Sequence, residues 1–252
     1  MATRDIFDTL DEVGQVLDPS TWMLVGGLMV HAHSIQAGVA NPRPTDDADI
    51  VLEVAVSNYT AAARQLQGIG FEPQNSLDPR EPSYRFIRGP EQVDLMVPDR
   101  GKGIRFRQRD VLAVPGSKSA ISRTQSFRLP RGRDVRIPDL PSALSLKGAA
   151  YRTSSPDPVR HLRDGIVLFA CTEGRDDLLG PSKSMQTNIN YLLLGLGPPD
   201  AWSGIAREVS EKAVRGIREH YRPDWKQSVP PTPERLRRGE RRSGPRHSAS
   251  IE

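Results

Sequence analysis

Trp22-Met23-Leu24-Val25-Gly26-Gly27, running on into Leu28 to Gln36, and Arg43-Pro44-Thr45-Asp46-Asp47-Ala48-Asp49-Ile50-Val51-Leu52 are the two stretches on which the fold turns. The first passes from four apolar residues through two glycines into a segment of helical character, which reads as strand, glycine turn and helix. The second leaves a loop broken by Pro42 and Pro44 and enters Ala48 to Val56, whose Ile, Val and Leu content predicts a central strand. Ser57 is placed to cap a following helix that runs through Leu66. Asp47 and Asp49 stand at i and i+2 where that strand begins. On extended backbone such residues project from one face, so the two carboxylates point the same way.

Outward from this centre the pattern alternates. Ile6, Phe7, Leu10, Val13, Val16 and Leu17 recur at helical spacing until Asp18-Pro19 stops them. Phe71, Tyr84 to Ile87 and Gln92 to Val97 read as further strands between Gly and Pro turns, and residues 100 to 136 as short strands and basic loops. Beyond Pro138 and Pro141 the chain turns helical, over roughly 141–152, 158–172, 184–195 and 200–220. The fold class expected is α/β (α+β): a small mixed-sheet domain over 1–137, a helical C-terminal region over 138–226, and a disordered basic tail over 227–252.

Composition narrows the function classes. The chain has 252 residues, 37% hydrophobic and 26% charged, enough apolar content for a real core. Its longest apolar run, Trp22 to Val30, is far shorter than the roughly 20 residues of a membrane span. The acidic, amphipathic N-terminus does not resemble an export signal, so a cytoplasmic protein without membrane partners is expected. The single cysteine, Cys171, lies in an apolar context and is expected to be buried rather than to form a disulfide or a metal cluster. The whole net charge of +4 resides in residues 222–252. Within the neutral remainder, residues 100–136 hold eleven Lys and Arg against Asp110 and Asp134, while residues 1–21 hold five acids against Arg4. The mid-chain excess predicts a basic surface segment, either solvated or able to steer a polyanion.

Several common catalytic motifs are missing. Gly116-Ser117-Lys118-Ser119 has the end of a phosphate-binding loop, but Val111 stands where its first glycine belongs. There is no HExxH, GxSxG or GxGxxG after a strand. What remains is acids on strands. Paired carboxylates on one face repel unless a cation joins them, and hard oxygen ligands of this kind suit Mg²⁺ or Mn²⁺. Asp94, inside the apolar stretch Gln92 to Val97, is a charge that needs a partner. If its strand adjoins the first, three carboxylates form a site able to hold two metals for an in-line phosphoryl displacement. Gly26 and Gly27, where a strand enters a helix, allow an anion to approach the backbone.

Gly26-Gly27, His33, the run Arg43 to Ile50 and Val93-Asp94-Leu95 together resemble the minimal nucleotidyltransferases of the polymerase beta superfamily, especially AbiEii-type toxins of type IV toxin-antitoxin systems. The shared pattern is a double glycine, a histidine, R-x-T-x-D-x-D followed by an apolar residue, and a third aspartate on a neighbouring strand. The resemblance covers residues 20–98 and continues faintly into the helices. It departs at Met29, and at Ser154, where an arginine four after Ala150 belongs and Arg152 falls two short. It implies transfer of a nucleoside monophosphate from an NTP, with release of pyrophosphate, to an RNA acceptor such as tRNA, and a cognate antitoxin as partner. In this scheme Asp47 and Asp49 bind metal and Asp94 is base or third ligand. Gly26, Gly27, Arg43 and Thr45 serve the nucleotide, Lys147 reaches the triphosphate, and Asp164 matches a late acidic position.

Two other readings stay open. One is nucleotidyl transfer to a small hydroxylated molecule, as antibiotic-modifying enzymes perform, which calls for an acidic pocket around a cationic substrate. The other is a non-catalytic nucleic-acid-binding protein that uses the arginines of 100–136 and the tail, with steeply salt-dependent binding that survives loss of Asp47 and Asp49.

Overall fold

A computed structural model of the chain describes residues 5–41, 43, 45–99, 103–153, 157–172, 178 and 180–220. The tail expected over 227–252 and the departure at Ser154 lie outside the described residues. Helix α1 (Ile6–Val16) is capped by Asp5, whose side chain accepts the Phe7 N–H, and it closes at Leu17 ahead of Asp18-Pro19. Strand β1 (Trp22–Leu24) is wholly buried and leads into α2 (Gly26–Gln36). The helix starts at Gly26 itself, so no separate glycine turn precedes it; Gly26 adopts φ +68°, a region that favours glycine.

Strand β2 (Asp47–Leu52) is shorter than its β-branched content suggests. Glu53 ends it: the N–H groups of Val56 and Ser57 turn back to the Glu53 carbonyl, and Val56 is left 64% exposed. That turn moves the cap of α3 (Tyr59–Gly68) one residue on, from Ser57 to Asn58, whose side chain accepts the Ala61 N–H at 3.1 Å. Strands β3 (Glu72–Gln74), β4 (Arg85–Arg88) and β5 (Glu91–Pro98) follow. The order in the main sheet is β1-β2-β5-β4-β3, with β8 (Ala113–Val114) paired to the far end of β5. Strands β2 and β5 are parallel and their outer neighbours β1 and β4 antiparallel to them, so the sheet is mixed and the fold is α/β.

The basic segment contains a small hairpin, β6 (Arg105–Phe106) and β7 (Arg109–Asp110), and a short helix α4 (Ser117–Ile121) that the sequence reading does not anticipate. Its last part is the hairpin of β9 (Thr124–Arg128) and β10 (Asp134–Pro138). Helices α5 (Leu140–Arg152), α6 (Pro158–Ala170), α7 (Lys183–Leu196) and α8 (Arg207–His220) complete the described chain. The helix expected over 200–220 is divided: a 3₁₀ turn occupies Pro199–Ala201, Gly204 takes φ +76°, and α8 begins only at Arg207. Helix α2 packs against β2, α5 and α6, and its first residue, Gly26, lies against Asp49 near the start of β2. Trp22, Leu24, Leu28, Ile50, Leu52, Phe71, Phe86 and Phe169 are among the side chains fully withdrawn from water. Cys171 is buried, which pushes its thiol up to about 12. No described helix is long and apolar enough to cross a membrane.

The charge asymmetry of the sequence resolves into ion pairs. Arg131 meets Asp8 at 2.7 Å and Arg133 meets Asp11 at 3.3 Å, tying the β9–β10 hairpin to the acidic first helix. Arg105, Arg123, Arg128 and Arg136 likewise face Asp110, Asp139, Asp134 and Glu53. Much of the mid-chain basic excess is therefore neutralised within the fold.

Candidate active site

The parallel pairing of β2 with β5 sets Asp49 directly beside Asp94 and Asp47 beside Gln92. Because Asp47 and Asp49 share a face, the three carboxylates converge, with oxygens within 4.8 Å of one another. Asp94 is buried and the other two are partly so. Burial, reinforced by the neighbouring charges of Asp47 and Asp94, raises the Asp49 carboxyl to about 7, while Lys147 and Arg160 act in the opposite sense. Asp94 is also pushed up, first by burial, against the counter-effect of Arg85. Carboxylates crowded in this way, with one brought to near-neutral proton affinity, form a donor set that a divalent cation would satisfy.

The first turn of α2 closes one side. A Cβ on Gly26 would run into the Asp49 carboxylate, and a Cβ on Gly27 would run into Arg43 and Thr45. Both glycines are thus required by close approach, and at Gly26 by its φ as well. The Thr45 hydroxyl is buried beside Gly27 with no hydrogen-bond partner among the described residues. An unmet buried hydroxyl next to a helix N-terminus is a donor available to an anion.

The other side is cationic. Asp164, from α6, accepts Arg43 Nε at 3.0 Å and Arg43 Nη2 at 3.4 Å, and its second oxygen also meets Lys147 Nζ at 2.6 Å. Its side chain is 3% exposed and that of Lys147 6%, so a single buried carboxylate holds two cations in place. With both oxygens of Asp164 engaged, its evident role is to hold Arg43 and Lys147 in place. Lys147 stands on α5, whose N-terminus is fixed by the Asp139 cap accepting the Ser142 N–H. Gly26, Gly27, Arg43, Thr45, Asp47, Asp49, Asp94, Lys147 and Asp164 are thereby gathered at one end of the sheet.

Other candidates lie elsewhere. His33 donates Nε2–H to the Pro138 carbonyl at 2.9 Å; burial lowers its pKa to about 4, so it is a neutral latch between α2 and the end of β10. Arg152 points to α7, bonding Asn188 Oδ1 at 2.8 Å and lying over the Tyr191 ring at 4.3 Å. Two residues the sequence reading overlooks do reach the site. Arg85 on β4 grips Asp94 through two hydrogen bonds of 3.0 Å. The hairpin that turns at Gly89-Pro90 places 85 opposite 94, so this partner could be found by counting outward from that turn. Arg160, one helical turn before Asp164, acts electrostatically on Asp49.

No family model matches the chain, and no curated protein matches it. Among solved structures the chain is similar to that of the antibiotic-resistance factor ANT(2'')-Ia, a solution structure described as revealing substrate-regulated conformation dynamics. The match has 15% identity, covers 73% of this chain and 88% of that one, and has a TM-score of 0.43.

Proposed function

We propose that the chain is a metal-dependent nucleotidyltransferase that moves a nucleoside monophosphate from an NTP to an acceptor hydroxyl. The observation that carries this reading is the in-register meeting of Asp47, Asp49 and Asp94 against the glycine-opened end of α2, with Arg43 and Lys147 facing them. Asp47 and Asp49, with Asp94, would hold Mg²⁺ or Mn²⁺. When bound, such an ion neutralises charge on the phosphates and orients the reacting oxygens. Gly26, Gly27 and the free Thr45 hydroxyl receive the phosphates at the helix start. Arg43 and Lys147 offset the charge that develops on the leaving pyrophosphate, and Asp164 keeps both aimed at it. The acceptor oxygen forms a bond to the α-phosphorus, the bond to the bridging oxygen breaks, and the hydroxyl proton passes to a base. Asp94 completes the triad as third ligand or as that base.

The charge around the triad does not choose the acceptor. Arg85, Lys147 and Arg160 act on it, Arg43 stands beside Gly27 and Asp164, and among the described residues no second cluster of acids and histidines accompanies it. Because Arg43 and Lys147 are ion-paired with Asp164 and Arg85 with Asp94, this charge is largely balanced and by itself selects neither an RNA end nor a cationic small substrate. RNA, tRNA in particular, is proposed as the acceptor on the toxin-like resemblance, which also implies a cognate antitoxin as partner, with a small hydroxylated molecule of the antibiotic type as the alternative. The pairing of the mid-chain arginines counts against a purely electrostatic nucleic-acid binder. The test is transfer of label from each α-labelled NTP to total RNA with Mg²⁺ or Mn²⁺, alongside a panel of small hydroxylated acceptors. Label on a discrete RNA that requires Asp49 supports the reading. Label only on small molecules moves the acceptor, and no metal-dependent transfer to anything removes the activity.

A further inference from the structure

The row Asp49, Asp94, Arg85 crosses three neighbouring strands in register. Arg85 Nε and Nη2 each donate to a different Asp94 oxygen, so the fork engages both oxygens of the carboxylate at once. The Asp94 side chain is 6% exposed and that of Arg85 36%, with the guanidinium 5.4 Å from the centre of the Tyr84 ring. The anion is therefore fixed inside the site while its partner sits on the rim. When the three carboxylates are ionised, Arg85 offsets one of their negative charges by direct contact, and Lys147 and Arg160 act on Asp49 without an ion pair to it. A further ion placed on Asp94 would have to sit beside a guanidinium, and the like-charge repulsion at such separations amounts to several RT even at a generous effective dielectric.

We propose that Arg85 is a positioning residue that sets the metal occupancy of the triad. In the free protein it holds Asp94 back, leaving Asp47 and Asp49 as ligands for a single divalent ion. Asp94 joins a second ion only when the negative charge of a nucleoside triphosphate enters the site. This inference rests on the nucleotidyltransferase reading above and assigns to one arginine the coupling between nucleotide and metal.

Counting Mn²⁺ bound to the full chain by electron paramagnetic resonance of the free ion, without nucleotide and with non-hydrolysable NTP analogues, tests it. The wild type is expected to take a single ion alone and a second only with the analogue. Arg85→Ala should take the second ion without nucleotide, or bind Mn²⁺ roughly tenfold more tightly. Arg85→Lys, whose single ammonium cannot span both oxygens, should fall between, and it carries the test if Arg85→Ala does not fold. Adding Asp94→Asn to either variant should return it to a single ion. A folded Arg85 variant with unchanged or weaker Mn²⁺ binding overturns the proposal, because a merely structural arginine would give that result. A folded wild type that takes no Mn²⁺ with or without the analogue is a different failure: it removes the nucleotidyltransferase reading, and the role of Arg85 with it.

Discussion

Two regions of this molecule are dense in charge, and they treat it in opposite ways. In the mid-chain segment, Arg105, Arg123, Arg128, Arg131, Arg133 and Arg136 each face a carboxylate, some of them more than a hundred residues away in sequence. At the start of β2, three carboxylates are pressed together; among the described residues Arg85 is the cation ion-paired with them and Gln92 also bonds Asp94, while Lys147 and Arg43 are already committed to Asp164. The first arrangement is finished: adding a ligand would break as much as it makes. The second is unfinished: Asp49 is raised first by burial and then by the neighbouring charges of Asp47 and Asp94. Charge in a sequence thus says little about function until its pairing is known, and incomplete compensation inside a shaped site is what marks chemistry.

The sharpest way to break this comparison is to remove the uncompensated charge. Asp49→Ala is expected to lower transfer of label to the acceptor by about a thousandfold or more while the circular dichroism spectrum stays native, because the triad supplies charge stabilisation rather than packing. Activity within tenfold of wild type would place the chemistry elsewhere. Asp164→Ala comes next. It leaves Arg43 and Lys147 without their buried counter-ion, and breaking such a pair from one side costs about 3–5 kcal/mol. Denaturant unfolding should show a loss of that order. Asp164→Asn, which keeps the shape, should lose less stability and still raise KM for NTP, because the two cations would no longer be held in place.

Much of the site was legible because its logic is local. The two-residue spacing of Asp47 and Asp49 is enough to put them on one face of any strand, and Asp94 stands out as a charge within an apolar run. What linked them was a single assumption about strand order, which the β2–β5 pairing satisfies. The strands themselves were readable where apolar runs end at glycine or proline. They run shorter than composition predicts where the turn is made by hydrogen bonds alone, as at Glu53 to Ser57 behind Val54 and Val56. Long-range pairing left no local trace. Nothing near Arg131 or Arg133 announces that Asp8 and Asp11 will pair with them, so a segment that reads as a basic surface, solvated or able to steer a polyanion, contains a seam of ion pairs. Arg85 is the intermediate case, hidden only until the hairpin around Gly89 is drawn.

Proton linkage offers a smaller and more discriminating test. An unfolded aspartate titrates near its ordinary value of 3.8, whereas Asp49 in the folded, metal-free chain does so at about 7. Folding therefore takes up a proton between those values. The associated stability is full below about pH 4 and is lost as the pH rises through about 7. Asp49→Asn cannot titrate, so the Tm difference between it and the wild type in chelator should widen in favour of the variant by a few degrees from pH 5 to pH 8. Added Mn²⁺ should reverse that ordering at pH 8, where the carboxylate is ionised and able to bind, and have little effect at pH 5. Parallel pH profiles for the two proteins would mean that Asp49 is not the uncompensated group.

The smallest effect expected comes from the finished region, and it is informative because it is small. Arg131 and Asp8 form a pair at 2.7 Å whose side chains are 52% and 30% exposed. Water competes for both partners there, so the pair contributes no more than about 1 kcal/mol. Arg131→Gln should shift the urea midpoint only slightly and leave the rate of transfer and the affinity for RNA unchanged. If instead RNA affinity drops severalfold and the slope of its logarithm against salt flattens by about one phosphate contact, Arg131 exchanges Asp8 for a phosphate when RNA arrives. The mid-chain seam would then be a second unfinished region, compensated only at rest, and the contrast drawn between the two regions would hold for the free protein alone.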